Sequence, residues 1–148
     1  MKSRKNNELP LDKFINLSLY NKKFGYYMKK NPFGEKGDFI TAPNISILYS
    51  EMIAIWIIAF WENLKSPKKF NLVELGSGNG EMMKILISTF NRFPKFKSAC
   101  KINILEKSCI LKKKQKKEIN NKNVKWLSSL DQLNKLPVIF ISNEFFDA

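Results

Sequence analysis

The chain has 148 residues, 44% of them apolar and 26% charged, enough to bury one hydrophobic core and unlike a disordered polymer. It contains no histidine, and Cys100 and Cys109 form no CxxC pair, which excludes a Ser-His-Asp triad and the usual zinc sites and fits a reducing compartment. The formal charge of +13 is almost all lysine, with Arg4 and Arg92 the only arginines. Together with abundant Ile and Asn it reads first as compositional drift. A nucleic-acid surface is the weaker reading, because phosphate recognition tends to recruit the planar guanidinium.

Met1–Pro10 is polar and carries no secretory core segment. Residues 1–66 read as a leader of helices and loops, with turn signals at Gly25-Tyr26-Tyr27, Asn31-Pro32-Phe33-Gly34 and Gly37-Asp38-Phe39. Ile45–Trp61 is the greasiest stretch. Ser46, Ser50 and Glu51 interrupt it, so it reads as a buried helix and not as a membrane span, with Ile45, Leu48, Met52, Ile55, Trp56 and Ala59 as its inward face. Tyr26, Tyr27, Trp56 and Trp61 are assigned to the core. Ser66-Pro67 ends the helix.

From Phe70 the pattern alternates. Asn71–Leu75 reads as a buried strand, and Met83, Leu86, Ile87 and Phe90 mark a helix face. Lys101–Leu105 follows as a strand, and Ser108 caps a lysine-rich helix to about Asn120. Val124–Leu127 is a weaker strand, Asp131–Leu133 a helical turn and Pro137–Ser142 a clear strand. The alternation predicts an α/β fold with a parallel sheet, a doubly wound, Rossmann-like unit over residues 67–148. The sequence stops directly after the last strand, so the sheet is expected to be the first part of a longer one.

Three motifs carry chemistry. Glu74-Leu75-Gly76-Ser77-Gly78-Asn79-Gly80 places an acid at a strand end and three alternating glycines before a helix. GxGxG followed by Glu81 is neither the dinucleotide fingerprint GxGxxG nor a phosphate loop. It suits the methionine end of S-adenosylmethionine, with loop amides, Ser77 and the Glu74 acid as its partners; a plain glycine-rich turn is the bland alternative. Glu106, after the second strand, stands where an acid accepts hydrogen bonds from ribose hydroxyls, or is merely an exposed strand end. Asn143–Asp147 follows the last strand. Asn143 there would join the cofactor set, and the acids Glu144 and Asp147 would face the transferred methyl and hold a cationic nucleophile. The run Lys112-Lys113-Lys114-Gln115-Lys116-Lys117 reads mainly as a solvated helix face.

Leu11-Asp12-Lys13-Phe14, Leu19-Tyr20, Gly25-Tyr26-Tyr27, Pro32-Phe33-Gly34, Gly37–Pro43, Val73–Gly80 and Asn143–Ala148 occur in one order that resembles the MidA family of class I methyltransferases. Mitochondrial members of that family are complex I assembly factors similar to protein arginine methyltransferases. The resemblance implies S-adenosyl-L-methionine as cofactor, no metal, and a protein substrate, a respiratory-complex subunit in the mitochondrial branch, methylated on arginine. It implies that Gly76, Gly78 and Gly80 form the cofactor loop and that Glu106 takes the ribose. It implies also that Gly37, Asp38, Thr41 and Pro43 lie over cofactor or substrate, and that Glu144 clamps a guanidinium. The family pattern has Pro at 77, Arg at 79 and Glu at 44, where this chain has Ser77, Asn79 and Asn44; the last change puts substrate specificity in question. An RNA methyltransferase and a non-catalytic binding fragment are the alternatives. Because the first family motif starts near Leu9, leaving little room for a transit peptide, the expected compartment is a bacterial cytoplasm in preference to a mitochondrion.

Overall fold

A computed structural model describes residues 9–29, 32–34 and 37–146. The leader folds as α1 (Leu11–Tyr20), α2 (Tyr26–Lys29), α3 (Ala42–Ile45) and the long α4 (Ile47–Asn63). Lys65 and Ser66 then take left-handed backbone, which turns the chain into the sheet. The alternating part runs β1 (Phe70–Leu75), α5 (Glu81–Phe90), α6 (Pro94–Ala99), β2 (Cys100–Leu105), α7 (Cys109–Ile119), β3 (Lys125–Leu127), a 3-10 turn at Leu130–Gln132, and β4 (Val138–Ser142).

All pairings are parallel and the strand order is β3-β2-β1-β4, the doubly wound arrangement expected. The order reverses beside β1, so a crevice opens at the carboxyl ends of β1 and β4. Side chains alternate across the sheet. Leu72, Ile104 and Ile139 face one way and pack with Ala54 and Ile57 of α4 and Met83 and Leu86 of α5. Val73 and Phe140 are register partners pointing the other way, and Phe140 is half exposed. Among the described residues β4 pairs only with β1.

Ser108 caps α7 as expected, its Oγ accepting from Leu111 N at 3.3 Å. Helix α6 was not expected; Phe93-Pro94 starts it, proline at the first helical position costing no hydrogen bond.

The inward face of α4 is not the one expected. Ser50, Ala54, Ile57, Ile58 and Trp61 are buried, whereas Ile45, Leu48, Met52, Ile55 and Trp56 are 45–75% exposed. The helix is apolar nearly all round, so periodicity cannot choose a face. The small Ser50 and Ala54 mark the side where α5 comes close. Of the aromatics assigned to the core, Trp61 is there, packed edge-on against Phe96. Trp56 instead stacks on Phe60 at the surface. No helix among the described residues is long and apolar enough to cross a membrane.

Candidate functional site

The glycines after β1 are there for backbone reasons. Gly76, Gly78 and Gly80 all have positive φ (67°, 51° and 89°), which a side chain disfavours. The turn brings Gly76 N to Leu105 O at 3.1 Å and Gly80 N to Ser77 O at 2.7 Å, and Gly80 opens α5. A cavity of about 450 Å³ lies above this loop. Its floor is Glu74, Gly76, Ser77 and Gly78; the leader supplies one wall and Asn143 and Glu144 from the end of β4 another.

Glu74 is 2% exposed, and the Ser77 hydroxyl donates to its Oε2 at 2.6 Å. Burial pushes the Glu74 carboxyl up to about 7, against the pull of the Ser77 hydroxyl. Asn79 is also buried. Its Nδ2 donates to Phe33 O at 3.2 Å, while its Oδ1 has no partner among the described residues. A buried acceptor of this kind is destabilising until a donor reaches it.

The leader wall is a packed aromatic group: Tyr27 stacks on Phe33, and Phe33 meets Phe39. The 32–39 loop closes through Phe39 N to Pro32 O and Gly34 N to Phe39 O, both 2.9 Å. The Tyr26 hydroxyl donates to Asp38 Oδ2 at 2.5 Å. Thr41 and Pro43 line the cavity, whereas Gly37 and Asp38 do not; Gly37 N donates to Gly34 O at 2.7 Å. Asn44 Oδ1 accepts from Thr41 N at 3.1 Å and Thr41 Oγ1 at 2.9 Å, so the residue at the departing position 44 has a local structural task.

At the other wall, the Tyr49 hydroxyl of α4 donates to Asn143 Oδ1 at 2.9 Å, which fixes the end of β4 to the leader. Glu144 follows with φ 48°, a left-handed backbone unusual for this residue type. Asp147 and Ala148, like Asn31, lie outside the described residues.

Glu106 is neither an exposed strand end nor part of the cavity lining. It is 6% exposed behind the glycine loop, accepting from Ser108 N at 2.8 Å and Gln115 Nε2 at 2.9 Å. Sequence reasoning missed Asn79, Gln115 and the aromatic wall. Spacing held a signal for Gln115, which repeats at four-residue intervals with Leu111 and Ile119 on the buried side of α7.

Comparison with known proteins gives a consistent picture. Residues 52–148 match a family described as "Putative S-adenosyl-L-methionine-dependent methyltransferase". The chain is similar to the mitochondrial protein arginine methyltransferase NDUFAF7 homolog of Drosophila melanogaster, 36% identical over 107 residues, covering 72% of this chain and 24% of that protein. It is similar to the Xenopus laevis protein arginine methyltransferase NDUFAF7, 29% identical, covering 84% of this chain and 34% of that one. The fold matches, at TM-score 0.70 and 21% identity, a "likely methyl transferase" from Burkholderia thailandensis bound to S-adenosyl-homocysteine, covering 89% of this chain and 36% of that one. The chain thus spans between 24% and 34% of the length of these two curated relatives. One expectation is overturned. Those relatives are named as mitochondrial, which contradicts the bacterial cytoplasm inferred from the position of the first motif. The distance of a motif from the first residue says nothing about compartment.

Proposed function

We propose, from the premise that this chain belongs to the family of S-adenosyl-L-methionine-dependent methyltransferases whose model it matches, that it forms the cofactor-binding part of an enzyme that methylates arginine on a protein. Residues 1–66 are the leader, of which residues between Leu19 and Asn44 wall the site, and residues 67–148 the cofactor-binding unit. The names of the relatives support arginine as the target and the mitochondrion as the compartment. A respiratory-complex subunit is the finer reading of the substrate.

The observation that carries the proposal is the turn Gly76–Gly80, three left-handed glycines at the carboxyl end of β1 opening into a cavity floored by a buried acid. The residues fit the cofactor. The Glu74 carboxyl and Asn79 Oδ1, unpaired among the described residues, are acceptors for a ligand carrying N–H donors and positive charge. A side chain on Gly78 would project between the loop and the Phe33 ring, into space a ligand needs. Bound, the cofactor supplies a methyl group made electrophilic by its sulfonium.

The chain's own residues do the rest. Glu74 balances the cofactor's ammonium, with Ser77 orienting the carboxylate, and Gly80 lets α5 begin directly after the loop. Glu106 serves the ribose from behind the loop, through the lone pair left free by its three protein donors, Lys107 N, Ser108 N and Gln115 Nε2. Asn143 holds the cofactor edge. Glu144 and Asp147 hold the guanidinium and align one of its nitrogens with the methyl, while Thr41 and Pro43, braced by Gly37 and Asp38, keep water away.

Calorimetric titration of S-adenosyl-homocysteine into the chain and its Gly78→Val variant tests this. Binding by the wild type and its loss in the variant are expected. Equal binding by both would show that the loop is not the site. Absence of binding both here and in a longer chain with the same residues would sink the reading.

A further inference from the structure

Gln115 is the one uncharged residue in the run Lys112–Lys117, and it is fully buried. Every group on its amide is used. Nε2 donates to Gly78 O at 2.9 Å and to Glu106 Oε2 at 2.9 Å, and Oε1 accepts from Trp126 Nε1 at 3.0 Å. One side chain therefore ties together the glycine loop after β1, the acid after β2, and β3. Its backbone also lies under the loop: a β-carbon on Gly80 would stand 3.3 Å from Gln115 Cα. No other residue type fits these partners. A glutamate has no donor for Gly78 O or Glu106, and a lysine has no acceptor for Trp126.

We infer that Gln115 is a positioning residue, which holds the buried Glu106 carboxylate ionised and oriented for the ribose and fixes the Gly78 carbonyl in the same contact. This rests on the reading of the cavity as an S-adenosylmethionine site.

Burial alone raises the Glu106 pKa, and the donors Ser108 N, Gln115 Nε2 and Lys107 N oppose it. The other groups facing it are Lys112 of α7, Tyr20 of α1 and Glu74 of β1. Lys112 helps the carboxylate, and the Glu106 charge in turn disfavours that of Glu74. Removing the Gln115 donor therefore shifts Glu106 toward its protonated form, in which one oxygen carries a proton and accepts less well from a hydroxyl.

The test follows the Glu106 carboxyl by carbon-13 NMR titration of the ligand-free chain, and S-adenosyl-homocysteine affinity across the same pH range. Two variants are compared: Gln115→Met, and Gln115→Glu, which keeps the acceptor for Trp126 should the first fail to fold. Both are expected to raise the Glu106 midpoint, by about one pH unit for Gln115→Met. The acid limb of the affinity profile should move up with it, weakening binding about tenfold near the wild-type midpoint. In a Glu106→Gln background, Gln115→Met should cost less affinity than in the wild type, the remainder being the lost contact to Gly78 O. An unmoved midpoint would overturn the positioning role of Gln115. A moved midpoint with an unmoved affinity profile would overturn its service to the site. Failure of the wild type to bind at any pH would count against the proposed function, while the NMR titration would still decide whether Gln115 holds the carboxylate.

Discussion

The ring of Phe145 lies so close over Gly76 that a β-carbon on that glycine would stand 2.5 Å from Phe145 Cδ2. Two motifs seventy residues apart in the chain thus touch at the switch point of the sheet. Gly76→Ala must move the ring, and with it Asn143 and Glu144, besides holding alanine at φ 67°. Gly78→Ala meets Phe33 only at an ordinary 3.7 Å, so it bears the backbone strain alone, about 1–2 kcal/mol. Denaturant unfolding should show Gly76→Ala as the more destabilised of the two. The reverse order would show that Phe145 does not rest on the loop.

Glu74 predicts how stability depends on pH. Its folded pKa is about 7 and its ordinary value 4.5, so between them the folded chain binds more protons than the unfolded one. Stability should therefore fall as pH rises from about 4.5 to 7, by up to about 3 kcal/mol, and then level off. Glu74→Gln should flatten that part of the profile. A cationic ligand would favour the carboxylate, so binding near pH 6 should release a proton. Calorimetry in two buffers of different ionisation enthalpy reads this; equal observed heats in the two buffers would mean that Glu74 does not face the ligand's charge.

The two tryptophans of α4 separate the expected face from the observed one. Trp61 is 7% exposed among Phe70 and Phe96, and Trp61→Ala should cost about 3–5 kcal/mol. Trp56 is 56% exposed, and Trp56→Ala should stay within about 0.5 kcal/mol. Chemical denaturation of both variants decides it: a large loss at Trp56 would restore the face that periodicity favoured.

What the sequence made legible was local. β1, β2 and β4 are short apolar runs bounded by turns, and the glycine spacing announces a left-handed loop because few residues other than glycine take three such conformations in five positions. The face of α4 was illegible because nearly every side of it is apolar, and the deciding feature, Ser50 and Ala54 against α5, is a matter of volume between elements. The place of Glu106 was half legible. Its position after β2 was right, but its burial depends on Gln115, a residue that composition files with the solvated lysines around it. Asn44 read as the loss of an acid, whereas its two contacts with Thr41 show a turn residue.

Glu144 combines two unrelated demands. Its backbone sits at φ 48°, a conformation asparagine tolerates better than glutamate does, yet its carboxylate lines the cavity, with Asn143 Nδ2 donating to its Oε1 at 3.3 Å. Strain held at a cavity wall is what a site selected for charge, and not for stability, would show. Glu144→Asn should therefore be no less stable than the wild type in thermal unfolding. Glu144→Gln keeps the shape and removes the charge, so it should leave S-adenosyl-homocysteine affinity within about twofold while removing most methyl transfer to an arginine peptide in a chain long enough to turn over, since holding a guanidinium depends on the carboxylate's charge. Full transfer by Glu144→Gln would take the guanidinium clamp away from this residue. Loss of cofactor affinity instead would move Glu144 from the substrate side of the cavity to the cofactor side.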